Sequence, residues 1–249
     1  MKFEDIEVWG FRKALKGMRN PKNSWDKSDS VFGYNQYGNC KIYHLFNECR
    51  KHDPNGYAIE APVIGTNDMK LAQQLIRTGS EHRKFMRQIF VSVDITAPLY
   101  WFKEFDTYKV GTIANSTSTM HKLASTPITL DCFEIDDYEK DIEVFENPSP
   151  MKYSVESFIS DPDGFIDFLE SLRKKYLDTK NKKYWKELIR WLPESWLQTR
   201  TITMSFENLY VMVHQRENHK LSEWSISFIN WVHTLPYSKE FIFANEVNK

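Results

Sequence analysis

The sequence predicts an α/β protein of the α+β kind, with strands and helices interleaved in its first half and a helical C-terminal half. Three observations carry that prediction. Ile89, Val91, Val93 and Ile95 alternate with Phe90, Ser92 and Asp94, the period-two pattern of a strand with one buried face. Phe165, Phe168, Leu169 and Leu172, and then Tyr184, Trp185, Leu188, Ile189 and Leu192, recur at helical spacing. Finally, Pro98 and Pro193 fall where these periodic runs end, and Gly79 and Pro236 end two further helical runs. The 249 residues are enough for a large core. No repeat or long linker divides them, so residues 1–249 read as one domain.

In chain order, Phe3 to Trp9 alternates as an edge strand, and Gly10 to Met18 forms a short basic helix ended by Gly17 and Pro21. Residues 20–39 are dense in Asn, Asp, Ser, Gly and Lys and read as a long surface loop. Lys51 to Gly56 is a turn. Asn67 caps a helix that buries Leu71, Ala72, Leu75 and Ile76 and stops at Gly79. After the strand, Thr96 and Pro98 open a helix that Tyr100 to Tyr108 continue, because proline fits a first turn whose N–H needs no partner. Thr129 to Ile135 is a second strand, and Asp136 to Glu146 an acidic solvated connection broken by Pro148 and Pro150. The helices that start near Asp161 enclose a basic stretch, Arg173 to Lys183, read as the exposed ends of two helices. Thr203 to Gln215 and Leu221 to Leu235 are two further helices.

Lysines and arginines number 33 against 34 aspartates and glutamates, a net charge of −1. No global basic field is available to hold a nucleic-acid backbone, and a small anion would need a local arginine site. No apolar run is long enough to span a bilayer, and MKFEDIEVWG is acidic rather than a signal sequence, so the expectation is a cytoplasmic protein. The three cysteines, Cys40, Cys49 and Cys132, cannot all pair within one chain. Cys40, His44, Cys49 and His52 include zinc ligand types, but their spacing lacks a Cys-x-x-Cys hook and the expectation is no metal.

Two features carry polar chemistry. After Gly111, TIANSTST has no apolar periodicity and is crowded with hydroxyls and amides, which reads as a loop, either solvated or facing a polar ligand. Arg190, Arg200 and Arg216 lie at predicted helix ends. Each is consistent with capping a helix C-terminus, and together they are consistent with a nucleotide pocket, since the planar guanidinium fork suits phosphate oxygens and carbonyl acceptors.

The order of helix, Glu81–His82, strand FVSVDI, Ala97–Pro98, helix and polar segment resembles the flavin-dependent thymidylate synthases. Thr107–Tyr108–Lys109 stands at the R-H-R of that family's signature R-H-R-x-x-S-x-N-E-x-S-x-R-Y, and Thr112 stands at its first serine. After one inserted residue, Asn115–Ser116–Thr117–Ser118 stands at N-E-x-S, and Met120 and His121 at R-Y. Arg190 before Leu192–Pro193, Arg200 in QTR and Arg216 in VHQR are similar to family arginines, with Ser205 where an asparagine is usual. The similarity covers roughly residues 67–125 and 185–240.

The resemblance implies an antiparallel sheet flanked by helices, a homotetramer, FAD as cofactor, and NADPH and methylenetetrahydrofolate as cosubstrates in reductive methylation of dUMP to dTMP. It assigns His82, Thr107, Tyr108, Lys109, Thr112 and Ser205 to the cofactor. To the substrate it assigns Glu104, Asn115, Ser116, Ser118, Arg190, Arg200 and Arg216, with Arg216 the catalytic contact to the uracil carbonyl. A flavin enzyme needs no nucleophilic thiol, and Cys132 falls in a predicted strand. The sequence also departs from the pattern. Three signature arginines are missing, each charge-assisted bond worth about 1.5–3 kcal/mol, leaving Lys109 and candidates His121, Lys122 and Arg83. Glu104 replaces a glutamine, and its carboxylate repels phosphate unless it is protonated or paired with Lys103. A non-catalytic nucleotide- or protein-binding relative, and an enzyme alkylating another pyrimidine nucleotide, are the alternatives.

Overall fold

The computed structural model describes residues 1–32, 62–135, 142–143, 152–153 and 164–244. Strands are β1 (Lys2–Trp9), β2 (Val31–Phe32), β3 (Pro62–Val63), β4 (Phe90–Pro98), β5 (Thr112–Ser116), β6 (Ile142–Glu143), β7 (Lys152–Tyr153) and β8 (Leu197–Ser205). Four of them form an antiparallel sheet in the order β1-β4-β8-β5, flanked by helices. Two short antiparallel pairs, β2 with β3 and β6 with β7, stand apart from it. Among the described residues no helix is long and apolar enough to cross a membrane.

The central strand follows from its alternation. Ile89, Val91, Val93, Ile95 and Ala97 are all completely buried, each of the larger ones contributing about 1.5–3 kcal/mol of transfer free energy. The residues between them make a polar ladder with β8. Thr203 Oγ1 lies 3.1 Å from Ser92 Oγ, Thr201 Oγ1 2.5 Å from an Asp94 carboxylate oxygen, and Thr96 Oγ1 2.7 Å from Thr199 Oγ1. Partners that step up in one strand as they step down in the other mark antiparallel register.

Several elements differ from expectation. β8 was not foreseen, and the helix expected from Thr203 starts at Phe206. Ile202 and Met204 are buried on either side of Thr203, a strand alternation that the apolar run after Ser205 conceals. TIANSTST is an edge strand and a short helix, Thr119–Lys122, rather than a loop; its side chains are mostly exposed, which erases any apolar period. The strand runs through Pro98, and the helix is Leu99–Phe105 followed by a turn at Asp106–Tyr108. Its first donors are satisfied from the chain: Leu99 N–H donates to the Trp196 carbonyl at 3.1 Å and Tyr100 N–H to that of Glu194 at 3.2 Å.

The segment 129–135 is a 3-10 turn, Leu130–Cys132, with a single bridge from Phe133 to Trp196 instead of a strand, so Cys132 lies in that turn. The first helix is Phe11–Arg19, with Gly17 inside it, and residues 20–32 hold two 3-10 turns and β2. Helix Thr66–Thr78 is capped by Asp29, whose carboxylate accepts from the N–H groups of Asn67 at 2.9 Å and Asp68 at 3.1 Å, and not by Asn67. The run 221–235 is a π-helical segment, Glu223–Phe228, and a short α-helix, Ile229–His233. The turn expected at Lys51–Gly56 and the four zinc-ligand types at Cys40, His44, Cys49 and His52 lie outside the described residues.

The chain forms two compact units: Met1–Lys2 with Ile95–Thr107 and Asn115–Arg200, and Phe3–Asp94 with Tyr108–Ala114 and Thr201–Lys249. In the first, helices Phe165–Thr179 and Lys182–Arg190 bury Leu169 and Leu188 against Leu123, Ile128 and Phe133. In the second, Phe11 meets Phe206 edge-on at 5.6 Å and Phe85 meets Phe241 at 6.0 Å. A buried clip also braces the second unit: Asp68, 0% exposed, accepts from Arg19 Nε at 2.5 Å and from the hydroxyls of Ser28 at 2.6 Å and Ser30 at 2.5 Å.

Candidate functional site

Helix Phe206–Arg216 positions the catalytic candidate of the second unit. Ser205 starts the helix with a capping box, its hydroxyl accepting from Asn208 N–H at 3.2 Å while its own N–H donates to Asn208 Oδ1 at 3.2 Å. Arg216 is the last residue of that helix, where a cation is favoured by the helix dipole. Its Nε donates to the Tyr108 hydroxyl at 2.8 Å, and the same hydroxyl donates to Gln215 Oε1 at 2.9 Å. The guanidinium carbon lies 5.4 Å from the Tyr108 ring centre and 4.9 Å from that of Trp224. Trp224 is fully buried and comes from the π-helical segment Glu223–Phe228, an irregularity frequent at functional sites.

The turn carrying Tyr108 is tied to the same helix. Asn208 Nδ2 donates to the Val110 carbonyl at 2.8 Å, and Thr112 Oγ1 donates to the Tyr108 carbonyl at 2.7 Å. Gly111 has φ +83°, and a Cβ there would sit 2.9 Å from Asn208 Oδ1, so glycine serves both the backbone turn and the close approach. Lys109 is exposed beside this turn, and His82 is exposed just before the 3-10 helix Arg83–Gln88. Arg83, a candidate replacement cation, is taken by protein groups: its Nε lies 3.1 and 3.0 Å from the two Glu207 oxygens and its guanidinium stacks 4.2 Å over Tyr210.

The first unit holds the remaining candidates. Arg200 Nη1 donates to Asp106 Oδ1 at 2.7 Å and its Nε to Gln198 Oε1 at 2.9 Å, with its guanidinium 4.0 Å over the Phe102 ring. Gln198 Nε2 donates to the Thr117 carbonyl at 2.9 Å, which fixes the chain just before Ser118. Ser118 caps Thr119–Lys122, accepting from His121 N–H at 3.0 Å, with its hydroxyl 2.9 Å from His121 Nδ1. Asn115 and Ser116 are exposed on β5. Thr107 Oγ1 donates to the Glu104 carbonyl at 2.7 Å. Lys103 pairs with Glu194 at 2.6 Å, so the partner expected for the Glu104 carboxylate is engaged by another acid. Arg190 is exposed and pairs with Glu187 on its own helix.

The candidates therefore meet as Tyr108 with Arg216, as Thr112 with the Tyr108 backbone, and as Arg200 with the strand leading to Ser118. Sequence reasoning missed Trp224, Gln215, Asn208, Asp106 and Gln198. Asn208 had a legible signal in its spacing from Ser205; Gln198, two positions from Arg200, reaches Thr117 through the fold, and Trp224, Gln215 and Asp106 meet their partners only through it.

The chain matches no protein-family model and no curated protein sequence. Its structure is similar to that of flavin-dependent thymidylate synthase ThyX from Helicobacter pylori complexed with FAD and dUMP, with a TM-score of 0.63 and 13% identity over 98% of this chain and 99% of that one. A second structure of that enzyme with FAD and dUMP gives 0.62 and 13%, over 97% and 98%. The UMP/dUMP methylase PolB from Streptomyces cacaoi, bound with 5-Br UMP, gives 0.50 and 13%, over 72% and 83%. Over nearly its whole length, the chain has the fold of the flavin-dependent thymidylate synthases.

Proposed function

We propose that this chain is a flavin-dependent methylase of the thymidylate synthase type, converting dUMP to dTMP with methylenetetrahydrofolate as carbon source and NADPH as reductant. The observation that carries the reading is the whole-length coincidence of fold with an enzyme complexed with FAD and dUMP. Arg216, fixed between Tyr108 and Trp224, supplies a cation where the reaction needs one: making C5 nucleophilic, before the carbon is transferred to it, puts negative charge on the uracil oxygen, and a prealigned guanidinium stabilises it. Reduced FAD, when bound, supplies the hydride. Toward FAD the chain offers fewer charges than the family signature. Lys109 and His82 offer an exposed ammonium and an imidazole, while the Thr107 and Thr112 hydroxyl protons go to backbone carbonyls. Arg200 and Ser118 are read as the phosphate side, and Ser205 as a cap supporting Arg216. The chain is read as one functional domain in a cytoplasmic homotetramer, as the resemblance implies.

A second reading, methylation of another pyrimidine nucleotide, is favoured by the likeness to a UMP/dUMP methylase and by the missing signature arginines. The test is the visible spectrum of the purified protein with FAD added, then dUMP or UMP, followed by tritium release from 5-labelled nucleotide. Bound flavin perturbed by dUMP and release from dUMP support the first reading. Release from UMP alone supports the second, and a protein that takes up no flavin even with nucleotide present overturns both.

A further inference from the structure

We infer that Tyr108 is a positioning residue for Arg216 and serves recognition of the pyrimidine, rather than the flavin contact that its place in the signature implies. The inference rests on the reading of Arg216 as the uracil-facing cation. A phenol has one proton to donate, and that of Tyr108 goes to Gln215 Oε1 at 2.9 Å. Its oxygen accepts from Arg216 Nε at 2.8 Å. Both bonds run to the last two residues of helix Phe206–Arg216. The Tyr108 ring then backs the guanidinium from one direction and Trp224 from another, with the two ring centres 6.2 Å apart.

The turn beneath Tyr108 is fixed independently of the hydroxyl, through Asn208 to the Val110 carbonyl and Thr112 to the Tyr108 carbonyl. Removing the hydroxyl alone therefore leaves ring and turn in place and releases the Nε of Arg216 together with Gln215 Oε1, both at the end of the same helix. Arginine carries many rotamers, and a guanidinium set in one orientation before the ligand arrives loses less freedom on binding. Tyrosine is suited to this task because it supplies an acceptor and a ring face from one rigid side chain.

The test is equilibrium titration of the full chain with FAD and with dUMP, for the wild type, Tyr108→Phe, Arg216→Lys and the double variant. Tyr108→Phe is expected to weaken dUMP binding about tenfold, the loss of one hydrogen bond to a charged group, with FAD affinity within about twofold. In the Arg216→Lys background, which lacks the Nε fork, Tyr108→Phe is expected to change dUMP affinity by less than about twofold, the non-additivity of one residue acting through another. Gln215→Ala, an exposed substitution, is expected to weaken dUMP binding about threefold by freeing the phenol. Weakened FAD with unchanged dUMP affinity in Tyr108→Phe overturns the inference, as do losses that multiply independently of Arg216. A wild type that binds dUMP while Tyr108→Phe is unaffected overturns this inference alone. A wild type that binds neither ligand removes the functional reading and this inference with it.

Discussion

Arg19 and Arg216 are both held by the second unit, and they are held in opposite ways. Arg19 is buried against the Asp68 carboxylate, which also takes hydroxyls from Ser28 and Ser30. Arg216 is half-buried at a helix end, with its Nε on a phenol and its face against two rings. The first arrangement closes a charge inside the protein and ties the 28–30 segment to two helices. The second orients a cation with aromatic partners at a partly accessible position. Folding depends on the first kind of site, and the second keeps its cation at a partly accessible position.

The largest expected effect separates the two. Asp68→Ala leaves the Arg19 guanidinium buried without its carboxylate and is expected to cost about 3–5 kcal/mol of stability. Denaturant unfolding checks it, and a midpoint within experimental error of wild type would show that water or a local shift re-solvates Arg19. Arg216→Ala should do the reverse. Turnover is expected to fall about 100-fold or more, the scale for removing a group that stabilises developing charge, while stability changes by about 1 kcal/mol or less. Tritium release alongside thermal melting reads both, and an active Arg216→Ala enzyme would remove Arg216 from the catalytic role.

The same contrast governs what was legible in the sequence. β4 was readable because its burial alternates along one strand, and the helices at 165–190 because their apolar stripes repeat. β8 and β5 were not, since threonines and serines on the ladder and at the sheet edge carry no hydrophobic signal. Arg216 could be singled out from VHQR, yet its partners Tyr108 and Trp224 lie 108 and 8 positions away, on a turn and a π-helical segment that sequence periodicity does not announce. The Asp68 clip was equally hidden: Asp68 reads as an ordinary first-turn acid, and only the fold shows that three side chains enclose it.

Acid titration sharpens the comparison further. Burial alone would raise the Asp68 carboxyl, but hydrogen bonds from Ser28, Ser30 and Arg19, with the Arg19 charge, outweigh it and hold the group below its ordinary value. In the first unit Glu170 is also lowered, chiefly by its hydrogen bonds from Arg173 and against an opposing burial effect. A carboxylate depressed in the folded state stabilises fully above its unfolded value and loses that contribution as pH falls through the folded one. Stability should therefore hold above about pH 5 and decline below about pH 4. Asp68→Asn should flatten the acid limb while lowering the plateau, which urea midpoints between pH 2.5 and 7 resolve. An acid limb as steep as wild type's would assign the decline to other groups.

The smallest expected effect concerns Arg200, whose partner is an exposed acid. Asp106 holds Nη1 of Arg200 at 2.7 Å and is itself half exposed to solvent, with a side-chain exposure of 50%. Such a pair contributes about 1 kcal/mol or less to stability, so Asp106→Asn should leave the melting temperature nearly unchanged. If Arg200 serves the nucleotide phosphate, the Asp106 carboxylate competes with that phosphate for the same guanidinium. Neutralising it should then tighten dUMP binding by about two- to fivefold at low salt, with the gain shrinking as ionic strength rises and screens the charges. Titration at two salt concentrations separates this from a purely structural pair. Tightening that salt suppresses supports Arg200 as a phosphate ligand held in reserve by Asp106. Unchanged or weaker binding at both salts assigns Arg200, with Phe102 and Gln198, to bracing β8.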